Sequence, residues 1–215
     1  DGKPVPTADV VSVAEEMDLI VALDWMMLEQ VCAFFGAHRE LDGCAVSVNF
    51  SARQFLAPDA ERRVLDTLEC HGLAPTRLKL ELTERVVAGD IRRVRAVMEA
   101  LAARGVEFYL DDFGTGYSNL SSVVSLPLQY VKVDRSLLEA ATNGGGGALL
   151  LRAVVETFRA MGRGILLEGV ETPEQYALAC TLRADRLQGY YLARPMPGEE
   201  LCALMRSGAR RTRRT

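Results

Sequence analysis

Acidic side chains close three short apolar runs: Leu78-Lys-Leu-Glu81-Leu-Thr-Glu84, Phe108-Tyr-Leu-Asp111-Asp112 and Ile165-Leu-Leu-Glu168-Gly-Val-Glu171. Asn49 ends another such run and Lys132 sits inside a fourth. In parallel α/β folds the C-terminal ends of the strands converge on one rim, where active sites are built. Carboxylates gathered there repel one another unless a cation lies between them. Oxygen ligands without thiols or imidazoles suit a hard ion, magnesium or manganese. Any one of these acids could equally cap a helix in solvent. Three acidic strand ends together with an amide and an isolated lysine favour a shared site. His38 and His71 lie near expected helix ends, away from these runs, which argues against histidine-based acid–base chemistry. Asp112-Phe-Gly114 matches the metal-binding triplet of protein kinases, but no glycine-rich nucleotide loop accompanies it, and the match is read as coincidence.

The elements that must position these groups are short. Strands are expected over Ala45–Phe50, Leu78–Leu82, Val106–Leu110, Tyr130–Val133, Gly164–Leu167 and, more weakly, Arg186–Tyr190. Between them, Ile91, Val94, Met98 and Leu101 mark one helix face, and Leu150, Val154, Phe158 and Met161 mark another. Gly72, Gly105 and Gly162 stop helices just before the next strand. Such alternation implies a parallel sheet, open or closed into a barrel. The helix from Ile20 to Phe35 is apolar on most sides and is read as core. Gly144 to Gly147 lack the lysine and hydroxyl residue of a phosphate loop and are read as a flexible connection.

A chain of 215 residues with 49% hydrophobic residues can bury one substantial core. Its formal charge of −4 favours no particular partner. Lysine appears only as Lys3, Lys79 and Lys132, whereas residues 206–215 form a basic tail, carrying Arg210, Arg211, Arg213 and Arg214, that is expected to be solvated and disordered. The scattered Cys32, Cys44, Cys70, Cys180 and Cys202 suggest neither a disulfide framework nor a zinc site, which favours a reducing, cytoplasmic compartment. No signal peptide and no run of roughly 18 apolar residues is evident. The first residue is Asp1 and not Met, so the chain is expected to be cut from something longer, with room for membrane or sensor domains upstream.

Six stretches, Asn49-Phe-Ser-Ala-Arg-Gln54, Glu81-Leu-Thr-Glu84, Asp111-Asp-Phe-Gly-Thr-Gly-Tyr-Ser118, Val131-Lys-Val-Asp134, Glu168-Gly-Val-Glu171 and Gln188-Gly-Tyr-Tyr191, resemble in order and spacing the successive motifs of EAL domains. The resemblance runs from about Pro6 to Pro197. It implies an α/β fold, a TIM-like (β/α) barrel of the EAL type with its first two strands absent from this chain, as a domain over residues 1–205. It implies a cofactor of two divalent cations, Mg2+ or Mn2+. By position, Asn49, Glu81 and Asp111 resemble the ligands of one metal, and Asp111 and Asp112 those of a second, with Glu168 bound directly or through water. Lys132 resembles the lysine beside the attacking water, Glu84 a residue that holds the Asp111–Gly116 loop, and Ser51, Arg53, Glu171 and Gln188 positions that line the substrate or steady loops. The family's chemistry implies two-metal hydrolysis of the bacterial messenger cyclic di-GMP to linear pGpG. The implied partners are cyclic di-GMP, a second copy in a homodimer and an upstream sensor or GGDEF domain, with no nucleic acid polymer.

The resemblance is incomplete. The strand carrying the family's Glu-Ala-Leu glutamate, a metal ligand, is absent, and so is an arginine that helps hold the messenger. This chain alone is therefore expected to be weak or inactive. Val10 and Ser12 stand where the family usually has phenylalanine and proline, Leu167 replaces an alanine, and Gln129 replaces an aspartate. Loss of the aromatic ring weakens base stacking by about 1–3 kcal/mol. A receptor that binds the messenger without cutting it, and a structural dimerisation domain, are the competing readings.

Overall fold

The computed structural model describes residues 5–83, 91–115 and 125–208. Six strands, β1 (Val46–Asn49), β2 (Leu78–Thr83), β3 (Glu107–Phe113), β4 (Tyr130–Val133), β5 (Gly164–Leu167) and β6 (Arg186–Leu187), form one sheet in chain order. Every neighbouring pair is parallel. Helices lie between them: α1 (Thr7–Glu16), α2 (Ile20–Ala37), α3 (Ala52–Phe55), α4 (Ala60–Cys70), α5 (Ile91–Ala103), α6 (Arg135–Thr142), α7 (Gly146–Ala160), α8 (Pro173–Thr181) and α9 (Gly198–Arg206). Strands occur at all six expected places. β6 stops at Leu187, short of the expected Tyr190, whereas β3 runs on past Leu110 through Asp111, Asp112 and Phe113 and so carries its acids inside the ladder.

The sheet has two unlike faces. Register pairs Val48 with Leu80, Leu80 with Phe108, Leu110 with Val131, and Val131 with Ile165, so their side chains share a face. All of these residues are buried, together with Leu78, Leu82, Val133 and Leu167. Leu28 and Cys32 of α2, Val64 and Leu68 of α4, Val94, Met98 and Leu101 of α5, and Leu151, Val155 and Phe158 of α7 join them in one core. Each fully buried leucine or valine side chain contributes roughly 1.5–3 kcal/mol. The opposite face carries the polar residues.

Three expectations need correction. The buried face of α7 is Leu151, Val155 and Phe158, while Leu150 is 52% exposed. The triplet Leu149-Leu150-Leu151 fits the helical period in more than one rotation, so periodicity alone chose wrongly. Gly144 and Gly145 form a short connection with open space around them, whereas Gly146 and Gly147 belong to the first turn of α7, where a Cβ on Gly147 would lie 2.3 Å from the carbonyl oxygen of Ala140. Lastly, α2 is long and apolar enough by length and composition to cross a membrane, with 18 residues and mean hydropathy 1.4. Here it lies against β1 and α4, with Leu28 and Cys32 fully buried. At the far end, Arg206 belongs to α9 and pairs with Glu40, so the helix continues past residue 205. Residues 209–215, with most of the basic tail, lie outside the described residues.

Because the atom facing Gly147 is backbone, the turn cannot yield cheaply. Gly147→Ala should destabilise the chain by about 1–3 kcal/mol in urea unfolding.

Candidate metal centre

The polar face is set by the same register. Asn49 pairs with Glu81, and Glu81 with Tyr109, so these three side chains leave the sheet on one side. Asp111 stands two residues beyond Tyr109 in β3. Tyr130 pairs with Tyr109, which puts Lys132 on the same side; Lys132 pairs with Leu166, two residues before Glu168. The result is a basin at the C-terminal rim. Its floor is Lys132, whose Nζ donates to Asp111 Oδ1 at 2.7 Å, Glu81 Oε2 at 2.8 Å and Glu168 Oε1 at 2.9 Å.

Adjacent residues on a strand normally face opposite ways, yet Asp111 and Asp112 both reach this basin. A bulge allows it: β3 advances from Leu110 to Phe113 while β4 advances only from Val131 to Val133. Asp112 takes up the extra residue at φ +56°, a left-handed conformation that aspartate tolerates better than most side chains. One carboxylate oxygen from each of Asp111, Asp112 and Glu168 then lies within 4.8 Å of the others. Phe113 returns to the core, edge-on to Phe158 at 4.8 Å.

Burial acts to lower the Lys132 ammonium, but Asp111, Glu81 and Glu168 outweigh it and hold the group well above its ordinary value. It stays charged and can donate but not accept a proton. Burial pushes the Glu168 carboxyl up, against the pull of Lys132, with Asp111 and Glu81 adding like charge. The two upward shifts are compatible because one ammonium is divided among three acids, which leaves Glu168 only part of a counter-ion. Formally, four carboxylates face one ammonium. This oxygen-only, over-acidic set fits hard divalent cations, and Asn49 stands beside Glu81 in the register.

The remaining candidates stand around the basin. Ser51 caps α3 and gives its amide to Asp24 and its hydroxyl to Gln54. Arg53 pairs with Asp18 in the turn between α1 and α2. Glu171 faces Arg135, 3.5 Å away, and its amide donates to Gln175. Gln188 acts through its backbone, bonded to Leu167 and Val170 on either side of Glu168. Glu84 and the Gly116–Ser118 part of the Asp111–Ser118 motif lie outside the described residues.

Sequence reasoning missed a second polar layer below the basin. Lys79 pairs with Glu107 at 3.0 Å, Tyr109 donates to Glu107, and Arg186 bonds the Tyr109 hydroxyl while lying 4.1 Å over the Tyr130 ring. The signal was present as alternation, in Lys79-Leu-Glu81 and Glu107-Phe-Tyr109-Leu-Asp111, but these strands read first as apolar runs. Asp24, alone among apolar neighbours in α2, was missed as well.

A curled parallel sheet, helices on its apolar face and acids on its inner rim define a (β/α) barrel-type domain with a basin able to hold cations. The family profile described as "EAL domain" matches residues 1–195, and the chain belongs to that family, with its TIM-like barrel arrangement. A bifunctional diguanylate cyclase/cyclic di-GMP phosphodiesterase, MucR of Pseudomonas aeruginosa, is 35% identical over 195 residues, covering 88% of this chain and 28% of its own length. An uncharacterized signaling protein of Caulobacter vibrioides is 36% identical over 197 residues, covering 92% and 24%. The chain thus spans only about a quarter of these relatives. Among solved structures, the MucR phosphodiesterase in complex with c-di-GMP superposes with TM-score 0.81 at 34% identity, covering 92% of this chain and 81% of that one. The EAL domain of Mycobacterium smegmatis DcpA gives 0.78 at 33% identity, covering 84% and 82%.

Removing the ammonium should leave three carboxylates facing one another. Lys132→Met is expected to cost the metal-free chain about 3 kcal/mol in urea unfolding, and added Mn2+ should restore part of the loss. A carboxyl raised by folding stabilises the fold most at low pH and loses that contribution as pH climbs through its folded value. Glu168→Gln does not titrate, so its metal-free stability relative to the unsubstituted chain should improve as pH rises from about 4 to about 7.

Proposed function

We propose that the protein carrying this chain hydrolyses cyclic di-GMP to linear pGpG with two divalent cations, Mg2+ or Mn2+. The observation that carries the reading is the basin itself: Glu81, Asp111 and Glu168 on one ammonium, with Asp112 turned in beside them. The names of the MucR relative and of its c-di-GMP complex support the same substrate.

Asn49, Glu81, Asp111, Asp112 and Glu168 would hold the cations, whose chemistry is to neutralise the phosphodiester and acidify a water for in-line attack on phosphorus. Lys132, permanently charged, orients that water and stabilises charge developing on the phosphoryl oxygens. Glu168, its carboxyl raised by burial, is suited to take the water's proton as the bond from phosphorus to the bridging ribose oxygen breaks, and that departing oxygen takes up a proton to leave as the ribose hydroxyl. Ser51, Arg53, Glu84, Glu171 and Gln188 line the substrate or steady the loops around it. The domain extends over residues 1–205 and works in the cytoplasm, alone or as the cytoplasmic part of a membrane-anchored protein. A sensor or GGDEF domain upstream and pairing into a homodimer belong to the same reading.

A second reading, a receptor that binds without cutting, is favoured by Val10, a half-exposed aliphatic residue where the family usually has an aromatic one. Incubating the full-length protein with cyclic di-GMP and Mg2+ or Mn2+, followed by chromatography, separates the two. Conversion to pGpG that falls at least about a hundredfold in Asp111→Asn supports the enzyme. Tight calorimetric binding without turnover supports the receptor, and the absence of both binding and turnover rejects both readings. The 215-residue chain alone should show little or no turnover.

A further inference from the structure

Asn49 ends β1, which among the described residues pairs with β2. The residues that follow it are held by specific contacts. The next residue, Phe50, donates its amide to Glu81 and buries its ring between Trp25, 5.1 Å away, and Phe55, 5.2 Å away. The residue after that, Ser51, donates its amide to Asp24 Oδ2 at 3.0 Å. The same oxygen accepts from Gln54 Nε2 at 2.6 Å, and Gln54 Oε1 accepts from the Ser51 hydroxyl at 2.6 Å. Asp24 is only 7% exposed and Gln54 is fully buried. Burial pushes the Asp24 carboxyl up, opposed by its bonds to Gln54 and Ser51. A buried carboxyl with no opposite charge among these contacts is a costly way to hold a loop, and it holds the loop two residues from Asn49.

We propose that Asp24 is a positioning residue for the metal site, clamping the Ser51 amide so that the Asn49 amide stays beside Glu81. The clamp links α2, which packs against β1, to the candidate ligand at the end of that strand. Asp24 acts through Asn49 and not on the ion. This assignment rests on the metal-dependent reading of the basin.

A double-mutant cycle on the full-length protein tests it, with Mn2+ binding followed by electron paramagnetic resonance of the free ion. Asp24→Ala should weaken Mn2+ binding roughly tenfold, within the range seen when supports of metal ligands are removed. Asp24→Asn, whose amide oxygen can accept both N–H groups, should recover affinity to within about threefold of the unsubstituted chain. In an Asn49→Ala background, Asp24→Ala should add no more than about twofold, because the two residues share one effect. If Asp24→Ala unfolds the chain, Gln54→Leu removes the other half of the clamp and enters the same cycle. Unchanged affinity in the disruptive variant overturns the assignment, as does an equal loss in both backgrounds or failure of Asp24→Asn to rescue. Each of these leaves the phosphodiesterase reading standing. An unsubstituted full-length protein that binds no Mn2+ overturns both.

Discussion

The shared ammonium of Lys132 is the contact on which the rim depends. Three carboxylates from three neighbouring or near-neighbouring strands could not lie this close without a cation, and the lysine supplies one from inside the sheet. It draws the tops of β2, β3 and the end of β5 toward β4. Because one positive charge is divided among three acids, the basin remains under-neutralised, and that surplus suits it to further cations.

That economy needs a sheet whose two faces never mix. Valine, leucine, isoleucine and phenylalanine on one side anchor the helices; lysine, glutamate, tyrosine, arginine and aspartate line the other in two storeys. The lower storey, in which Arg186 lies over Tyr130 and reaches the Tyr109 hydroxyl, fills space that would otherwise separate the strands beneath the basin. The acidic rim is therefore supported from below by paired polar groups and from outside by the apolar core.

Much of this was legible in the residues. Alternation of short apolar runs with amphipathic helices pointed to the parallel sheet, and acids at the run ends pointed to a common rim, because a parallel sheet delivers all its C-terminal ends to one side. Lys132 and its three acids could be grouped on that basis. What could not be read was geometry set by long-range contact. The rotation of α7 depends on Gly147 meeting Ala140. The inward turn of Asp112 depends on a register slip between β3 and β4. The grip of Asp24 on the β1–α3 loop joins residues far apart in the chain, and nothing in local periodicity announces it.

The register slip in β3 has an implication for how the chain tolerates length changes. Upstream of it, odd-numbered side chains of β3 look toward the rim; past it, Phe113 looks toward the helices and continues into Gly114 with its φ of +110°. Excising Asp112 would let β3 and β4 advance together, with Asp111 still toward the rim and Phe113 still toward the helices, at the loss of one carboxylate. Flattening the bulge at constant length would instead turn Asp112 into the apolar side and send the Phe113 ring into the acidic mouth, so the strand's upper end bears a residue removed more readily than a residue straightened.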